Sequence, residues 1–158
     1  MTAVAESDRQ AMAAALAEAR AALASGDVPV GAIVLDAAGE VIGRGRNERE
    51  KHHDPTAHAE VVALRAAASQ RGDWNLAGCS LVVTLEPCVL CAGAILAARI
   101  DRVVFGAWDE KAGAAGSVVD LLRERRLPHR VGEVIGGVDE RESAALLREF
   151  FEQQRRGG

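Results

Sequence analysis

Two short motifs constrain this chain more than any other feature of its sequence. One is PCVLC at residues 87–91, and the other, about 30 residues upstream, is HAE at residues 58–60. Together they offer two thiols and an imidazole, which are ligand types that zinc prefers. A structural zinc site is normally closed by four protein ligands, whereas a catalytic site keeps three and leaves a position for water. The ligand count therefore favours a catalytic site in which His58, Cys88 and Cys91 hold one zinc ion per chain.

Each motif alone permits other interpretations. A C-x-x-C pair is about as typical of a redox protein or of half a structural zinc knuckle, and a lone His-x-Glu usually lies on the surface. A redox pair needs neither His58 nor Glu60, and a structural site needs a fourth ligand, which the other histidines, His52, His53 and His129, do not clearly supply. The two motifs together, each at a predicted helix start, favour catalytic zinc.

The pair of motifs also indicates a reaction. Zinc with three protein ligands lowers the pKa of its bound water from about 15.7 to about 7, which provides a nucleophile near neutral pH. Replacement of an exocyclic amine by oxygen also needs protons at the ring nitrogen and at the departing ammonia, and Glu60 is the predicted proton shuttle. The pattern H-x-E followed by P-C-x-x-C is the signature of zinc-dependent nucleobase deaminases.

Composition is consistent with one folded enzyme, and we expect residues 1–158 to form a single zinc-dependent deaminase domain. The chain is 49% hydrophobic, with charged residues throughout. It has neither a leader-like N-terminus nor an apolar run of roughly 18 residues, so we predict a cytoplasmic protein without membrane association. Cys79 is interpreted as a small core residue. The net charge of −4 argues mildly against nucleic-acid binding by bulk charge but leaves a local basic patch open.

Hydrophobic periodicity and turn signals predict alternating strands and helices. The predicted helices cover residues 9–24, 55–69, 88–98, 118–126 and 142–154, and the predicted strands cover residues 28–35, 41–46, 80–85, 102–106 and 131–135. Ser7 with Gln10 predicts a capping box for the first helix, Asp54 with Pro55 predicts the start of the second, and Pro87 predicts the start of the third.

These elements predict a three-layer α/β/α fold, with a mixed sheet of about five strands and helices on both faces. The strands at residues 80–85 and 102–106, joined by one helix, are expected to be parallel. Residues two apart in a helix point nearly opposite ways, so His58 and Glu60 can serve one site only near the start of their helix.

Longer stretches resemble the bacterial tRNA-specific adenosine deaminases, within the cytidine-deaminase-like superfamily. They are VPVGA (28–32), Asn47, HDPTAHAE (53–60), TLEPCVLCAGA (84–94), RVVFGA (102–107) and DEKAGAAGS (109–117). The zinc signature alone also fits cytidine, deoxycytidylate, guanine or riboflavin-pathway deaminases, and the block at 109–117 with Phe150 and Phe151 narrows the choice. The resemblance implies a cytidine-deaminase-like fold and a homodimer that converts adenosine to inosine at the wobble position of a tRNA anticodon.

The same resemblance implies roles for particular residues. His58, Cys88 and Cys91 match the zinc ligands, Glu60 the proton shuttle, Asn47 a contact to the target nucleoside, and Asp109 a residue near its ribose. Contacts to the anticodon stem-loop are implied for Lys111, Arg123, Arg126, His129, Arg130 and Phe150. Without the resemblance, Asn47 could equally be a turn residue, Asp109 a helix cap or solvated carboxylate, and the others a solvated face or core packing.

Three residues depart from the pattern of the family. Trp108 stands where an arginine is usual, Arg46 where an aromatic residue is familiar, and Pro128 where an asparagine is usual. These positions bear on RNA contacts and on which transfer RNA is preferred, but not on the chemistry. Trp108 could stack on a base or anchor a dimer interface.

Two other functions stay open at this point. A deaminase of a free nucleobase, nucleoside or nucleotide, of the guanine or cytidine type, would suit the mild net acidity. A chain of a different class, a non-catalytic RNA-binding module stabilised by zinc, would need the metal ligands but not Glu60.

Overall fold

The computed structural model describes residues 5–157 and shows a five-stranded mixed sheet with helices on both faces. The strands are β1 (Gly31–Leu35), β2 (Val41–Arg46), β3 (Ser80–Leu85), β4 (Arg102–Ala107) and β5 (Glu133–Ile135), in the spatial order β2-β1-β3-β4-β5. The helices are α1 (Glu6–Ala21), α2 (Arg49–His52), α3 (Ala59–Arg71), α4 (Val89–Ala97) and α5 (Glu140–Gly157), and a 3₁₀ turn (Ala22–Ser25) extends α1. The predicted three-layer α/β fold is confirmed.

Side-chain alternation along the strands separates two layers of core. Ile33, Val82 and Val104 are fully buried on the face covered by α1. Their neighbours along the same strands, including Val34 and Val83, pack on the opposite face with α3 and α4. Each such buried aliphatic side chain contributes roughly 1.5–3 kcal/mol, so the central strands are held from both sides.

Strand directions bring several loop residues to one edge of the sheet. β1 is antiparallel to β2 and β3, while β3, β4 and β5 are parallel, so β2, β3 and β4 all end at the same edge. The backbone N–H of Glu86, just after β3, donates to the carbonyl of Ala107 at the end of β4 at 2.8 Å. We call this the site edge, because Asn47, Glu86 and Asp109 follow these three strands there.

Two glycines in β2 allow α3 to lie unusually close to the sheet. A Cβ on Gly43 would lie 2.4 Å from the carbonyl oxygen of Ala63, and one on Gly45 would lie 2.3 Å from that of Ala59. Any larger residue would collide with helix backbone, which cannot rotate away. The start of α3 is thereby held beside the end of β2.

The predicted helix starts are wrong by one to several residues, for identifiable reasons. Helix α1 begins at Glu6 without a side-chain cap, so the capping box at Ser7 is not formed. The Asp54 carboxylate accepts from the backbone N–H and the hydroxyl of Thr56, at 2.9 and 2.8 Å, and closes a turn instead of capping a helix. Helix α3 starts at Ala59, and α4 starts at Val89 rather than at Pro87.

Two loop assignments also change. Residues 118–126, predicted as a helix, form consecutive turns around a bridge between Ala115 and Asp120. The backbone N–H of Val131 donates to the Leu122 carbonyl at 2.9 Å, so these turns are tied to a distant segment. Residues 49–52, which lie outside the predicted helices and strands, form the short helix α2.

Within residues 5–157, no helix is both long enough and apolar enough to cross a membrane.

Candidate metal centre and pocket

The starts of α3 and α4 meet at the site edge and bring the three predicted ligands together. His58 is the N-cap residue of α3 and Cys88 that of α4, and Cys91 lies in the first turn of α4. The Nδ1 atom of His58 lies 3.7 Å from the Cys88 sulfur and 3.4 Å from the Cys91 sulfur, and the three donor atoms lie within 4.8 Å of one another. The fold therefore brings together the three side chains that the sequence motifs predicted to lie at one site.

The electrostatics of these groups suit a cation. A hydrogen bond from the Cys91 thiol lowers the pKa of Cys88 to about 3, and the hydrogen bond to Cys88 raises the pKa of Cys91 above its ordinary range. A hydrogen bond with the Cys88 sulfur raises the pKa of His58. Without a metal these groups share protons, which a divalent ion would displace. One imidazole nitrogen and two sulfurs form a donor set that fits zinc.

Glu60 lies in the first turn of α3, beside the three donor atoms. It is only 4% exposed, and burial raises the pKa of its carboxyl to about 7 against the opposing effect of its own backbone N–H. Because His58 precedes the helix and Glu60 is inside it, the two can reach one site despite being two residues apart. The expectation that they must lie at a helix start therefore matches the geometry.

A pocket opens beside this group. It encloses about 210 Å³ and is lined by Val28, Val30, Asn47, Arg49, His58, Ala59, Glu60, Leu85, Glu86, Cys88, Asp109 and Ala112. Its walls combine aliphatic side chains with convergent polar groups, which is typical of small-molecule sites.

Asn47 and Asp109, both predicted to contact substrate, lie in this pocket. Asn47 is buried, and its Oδ1 accepts from the backbone N–H of Arg49 at 3.2 Å. One carboxylate oxygen of Asp109 accepts from the backbone N–H groups of Lys111 and Ala112, each at 3.1 Å. Both side chains are therefore held by local turns that leave part of each polar group for a ligand.

The predicted RNA contacts are distributed unevenly. Phe150 lies in a groove with Phe151 that adjoins the pocket through Val28, Asn47 and Arg49. Lys111 is exposed two residues beyond Asp109.

The remaining predicted contacts are remote from the pocket of their own chain. The His129 ring lies 3.0 Å from the carbonyl oxygen of Ile100, near the start of β4, at the edge opposite the site. Arg130 lines an exposed hollow there with Arg123 and Arg125, and Arg126 pairs with Glu124.

The three departures from the family pattern have structural partners or exposure. Trp108 is 46% exposed and packs edge-on against Phe105, with ring centroids 4.8 Å apart. Arg46 lies 3.6 Å from the carboxylate of Glu18, and Pro128 is exposed.

Two charged residues of the pocket, Arg49 and Glu86, were not among the predicted site residues. Arg49 contributes a cation to the mouth of the pocket and to the adjoining groove, but it lies between the predicted strand at 41–46 and the predicted helix at 55–69. Glu86 is 2% exposed and stands between β3 and Pro87. Its position just before the cysteine motif, at the end of an apolar strand, was the available signal, since a carboxylate there must be buried.

Comparison with known proteins agrees with the geometry. The family model of the cytidine and deoxycytidylate deaminase zinc-binding region matches residues 5–107. The tRNA-specific adenosine deaminase of Bacillus subtilis is 42% identical over 149 residues, which cover 94% of this chain and 91% of that protein. A solved structure from a study of A-to-I editing by tRNA:A34 deaminases superposes with a TM-score of 0.83 at 42% identity, covering 87% of this chain and 99% of the other.

Another relative is much longer. The tRNA(Ile)-lysidine synthase of Deinococcus radiodurans is 51% identical over 146 residues, which cover 92% of this chain but 25% of that protein. The chain thus spans about a quarter of the length of this relative. From the matched family model and the extended identity to the Bacillus protein, this chain belongs to the cytidine and deoxycytidylate deaminase family and, within it, to the tRNA-specific adenosine deaminases.

Proposed function

We propose that this chain is a zinc-dependent hydrolase that converts adenosine to inosine at the wobble position of a tRNA anticodon. The observation that carries the proposal is one pocket in which a His-Cys-Cys donor set, a buried carboxyl of raised pKa, and two polar substrate-facing residues converge. The names of the Bacillus relative and of the superposed structure supply the substrate. We further propose that residues 1–158 form one deaminase domain.

His58, Cys88 and Cys91 are the proposed ligands of one zinc ion. When bound, zinc acts as a Lewis acid that lowers the pKa of a coordinated water to about 7. The N-termini of α3 and α4 lie at the three proposed ligands, so the positive ends of two helix dipoles favour the thiolate forms of the cysteines that bind zinc. With zinc bound, the three protein donors would leave one coordination position for water.

Glu60 is the proposed proton carrier. Its raised pKa lets the carboxyl exist in both protonation states near neutral pH, which is the condition for taking and returning one proton in the same cycle. A cation bound beside it would lower that pKa and favour the carboxylate that receives the first proton. The carboxyl would deliver this proton, which comes from water, to the purine ring nitrogen. It would then take the second proton from the hydroxyl newly bound to the ring carbon and pass it to the amine, which leaves as ammonia.

Asn47 and Asp109 are proposed to orient the nucleoside. Because Oδ1 of Asn47 already accepts from Arg49, its amide nitrogen is the group that can donate to the substrate. One carboxylate oxygen of Asp109 is engaged by backbone, so the other is the acceptor for a ribose hydroxyl. Leu85, Val28 and Val30 provide the apolar wall against which a base can lie.

The proposed partner is the anticodon stem-loop of a transfer RNA, which places the enzyme in the cytoplasm. The groove that holds Phe150 and Phe151 adjoins the pocket and offers aromatic faces for a flanking base. Arg49 and Lys111 add positive charge near the mouth. His129 and Arg130 lie too far away to touch the target base in their own subunit, so contacts from them would involve other nucleotides or a second subunit.

We propose a homodimer on separate grounds. Trp74 is 63% exposed, beside an apolar hollow formed by α3 and α4, and Val89 and Leu90 are exposed at the start of α4. Clusters of exposed apolar side chains often mark a protein–protein interface. A monomer at micromolar concentration, measured by light scattering, would contradict this part of the proposal.

The substrate is tested by direct assay. The purified zinc-loaded protein is incubated with an anticodon stem-loop carrying adenosine at the wobble position, with the same loop carrying guanosine there, and with free adenosine, cytidine and guanine. We expect inosine only in the first RNA, as measured by mass spectrometry of nuclease digests. Turnover of a free base or nucleoside with no inosine in RNA would support the small-molecule deaminase instead.

A further inference from the structure

The buried carboxylate of Glu86 occupies a position between the metal-binding helix and the substrate wall. Its backbone leads directly into Pro87 and the ligand Cys88, and its side chain points into the segment 109–117. Of the polar and charged side chains that line the pocket, Glu86 is the one to which the proposed chemistry gives no role.

Four donors surround this carboxylate, and all of them come from the segment 109–117. Oε1 accepts from the backbone N–H of Asp109 at 3.0 Å and from the hydroxyl of Ser117. Oε2 accepts from the backbone N–H groups of Ala115 and Ser117, each at 3.0 Å. A carboxylate has about four acceptor positions, so this one is fully occupied.

The segment is built closely around Glu86. A Cβ on Gly113 would lie 2.3 Å from the carboxyl carbon of Glu86, so only glycine permits the approach. The backbone N–H of Ala114 donates to the Pro87 carbonyl at 2.7 Å, which adds a second tie between the same two segments. The loop that carries Asp109 has no regular secondary structure of its own, and these bonds replace it.

We propose that Glu86 is a positioning residue that fixes Asp109 relative to the metal ligands and thereby sets the affinity for the nucleoside. It acts through Asp109, because its own oxygens are engaged by backbone and hydroxyl donors and are not available to move a proton. This inference rests on the proposed function for its kinetic consequence, but not for its structural one.

The structural consequence is tested without substrate. In Glu86→Gln, an amide N–H₂ faces donors where a carboxylate oxygen accepted, so at least one side of the four-bond arrangement is lost. We expect hydrogen exchange at the backbone amides of Asp109, Ala115 and Ser117 to rise at least tenfold over wild type. Glu40→Gln is a charge-matched control, because Glu40 is exposed in the turn between β1 and β2, at the edge of the sheet opposite the site. This variant should leave hydrogen exchange at these amides unchanged. Unchanged exchange in Glu86→Gln overturns the proposal.

The kinetic consequence is tested on the RNA stem-loop. Misplacing a substrate-binding group by about 1 Å can reduce efficiency on the order of 10²-fold. We expect Glu86→Gln to raise KM more than it lowers kcat, with zinc still at one per chain. A merely structural role would lower the active fraction, and with it kcat, at constant KM, and that result overturns the proposal.

A double-mutant comparison identifies the path. If Glu86 acts through Asp109, then Glu86→Gln adds little to the KM of an Asp109→Ala protein, whereas independent effects multiply. Multiplicative effects overturn the assignment. Ser117→Ala removes one donor to Glu86 and keeps the carboxylate, so it should raise KM by less than Glu86→Gln does. This variant replaces Glu86→Gln in the test if Glu86→Gln folds poorly. Absence of inosine with the wild-type protein would count against the proposed function alone, since the exchange measurement needs no turnover.

Discussion

Asp8 and Glu60 are carboxylates of equal burial, each 4% exposed, at opposite edges of the sheet. Asp8 faces the guanidinium of Arg102, which donates to its two oxygens at 2.8 and 2.7 Å. Glu60 has no ion pair with any lysine or arginine in the described part of the chain, and burial raises the pKa of its carboxyl to about 7. The buried carboxylate at the far edge is therefore paired with an arginine, whereas Glu60 at the site edge is paired with neither a lysine nor an arginine of residues 5–157.

This difference separates stability from chemistry. The ion pair between Asp8 and Arg102 joins α1 to β4, and Arg102 extends the pairing to Glu133 on β5. A buried carboxyl without a cation can change its protonation state near neutral pH, which is useful to catalysis and costly to folding. Glu86 is a third case, since neutral donors alone satisfy it and hold the pKa of its carboxyl below the ordinary value against the opposing effect of burial.

The largest effect is expected when one of the proposed zinc ligands is removed. In Cys88→Ala, bound zinc should fall from one per chain to none, measured by atomic emission, and deamination should fall to background. Because metal binding is coupled to folding, the thermal midpoint should also drop. Cys79→Ala is the matched control, because Cys79 is a buried free cysteine outside the site, and it should retain zinc. Full zinc occupancy in Cys88→Ala would refute the ligand assignment.

The next effect concerns the proton carrier. Glu60→Gln keeps the shape of the side chain but cannot carry the proton, so kcat should fall by roughly 10²–10⁴-fold with zinc content and RNA affinity retained. Single-turnover deamination and equilibrium RNA binding measure the two quantities separately. Retained turnover in Glu60→Gln would exclude Glu60 as the proton shuttle. If even the wild-type protein bound RNA without deaminating it, the chain would be the non-catalytic RNA-binding module.

The far edge should show the reverse behaviour. Asp8→Asn leaves Arg102 without its buried partner, so the free energy of unfolding should fall by about 2–3 kcal/mol in urea denaturation. The kcat and zinc content of the folded protein should stay at wild-type values. If fully folded Asp8→Asn protein lost much of its kcat, the two edges of the sheet would be energetically coupled, contrary to this prediction.

The smallest effect is a pH dependence of the metal-free protein. The pKa of Glu60 is raised in the folded state to about 7, so the folded protein holds a proton there that the unfolded chain releases at lower pH. Stability from this group is therefore present at low pH and is lost as pH rises through about 7. Glu60→Gln lacks this loss, so its stability relative to wild type should increase by about 2 kcal/mol between about pH 5.5 and 7. A constant difference across this range would contradict the raised pKa.

Much of the centre was predictable because ligand chemistry leaves a local signature. His58, Cys88 and Cys91 are recognisable by residue type and spacing, and the strand before Cys88 has the predicted bounds, Ser80–Leu85. The order of helices and strands was also predictable, since alternating apolar patterns report burial directly.

What could not be predicted depends on contacts between distant segments. Residues 118–126 have a helical pattern, but neighbouring donors at Ala115 and Ser117 are committed to Glu86, and Val131 binds Leu122. Asp54 has the composition of a helix cap, yet its side chain is used for a turn with Thr56. Local sequence does not say which of two possible partners a polar group will choose.

The close contact of α3 with β2 also has a consequence for variation of this enzyme. Gly43 and Gly45 have no room for even one methyl group, and the atoms in the way are helix backbone. A substitution there would be accommodated only by moving the whole of α3, and His58 and Glu60 would move with it relative to Asn47. The width of the pocket thus depends on the lack of a side chain at Gly43 and Gly45, which do not line the pocket. Mutational scans should find these two positions as intolerant of substitution as the proposed zinc ligands.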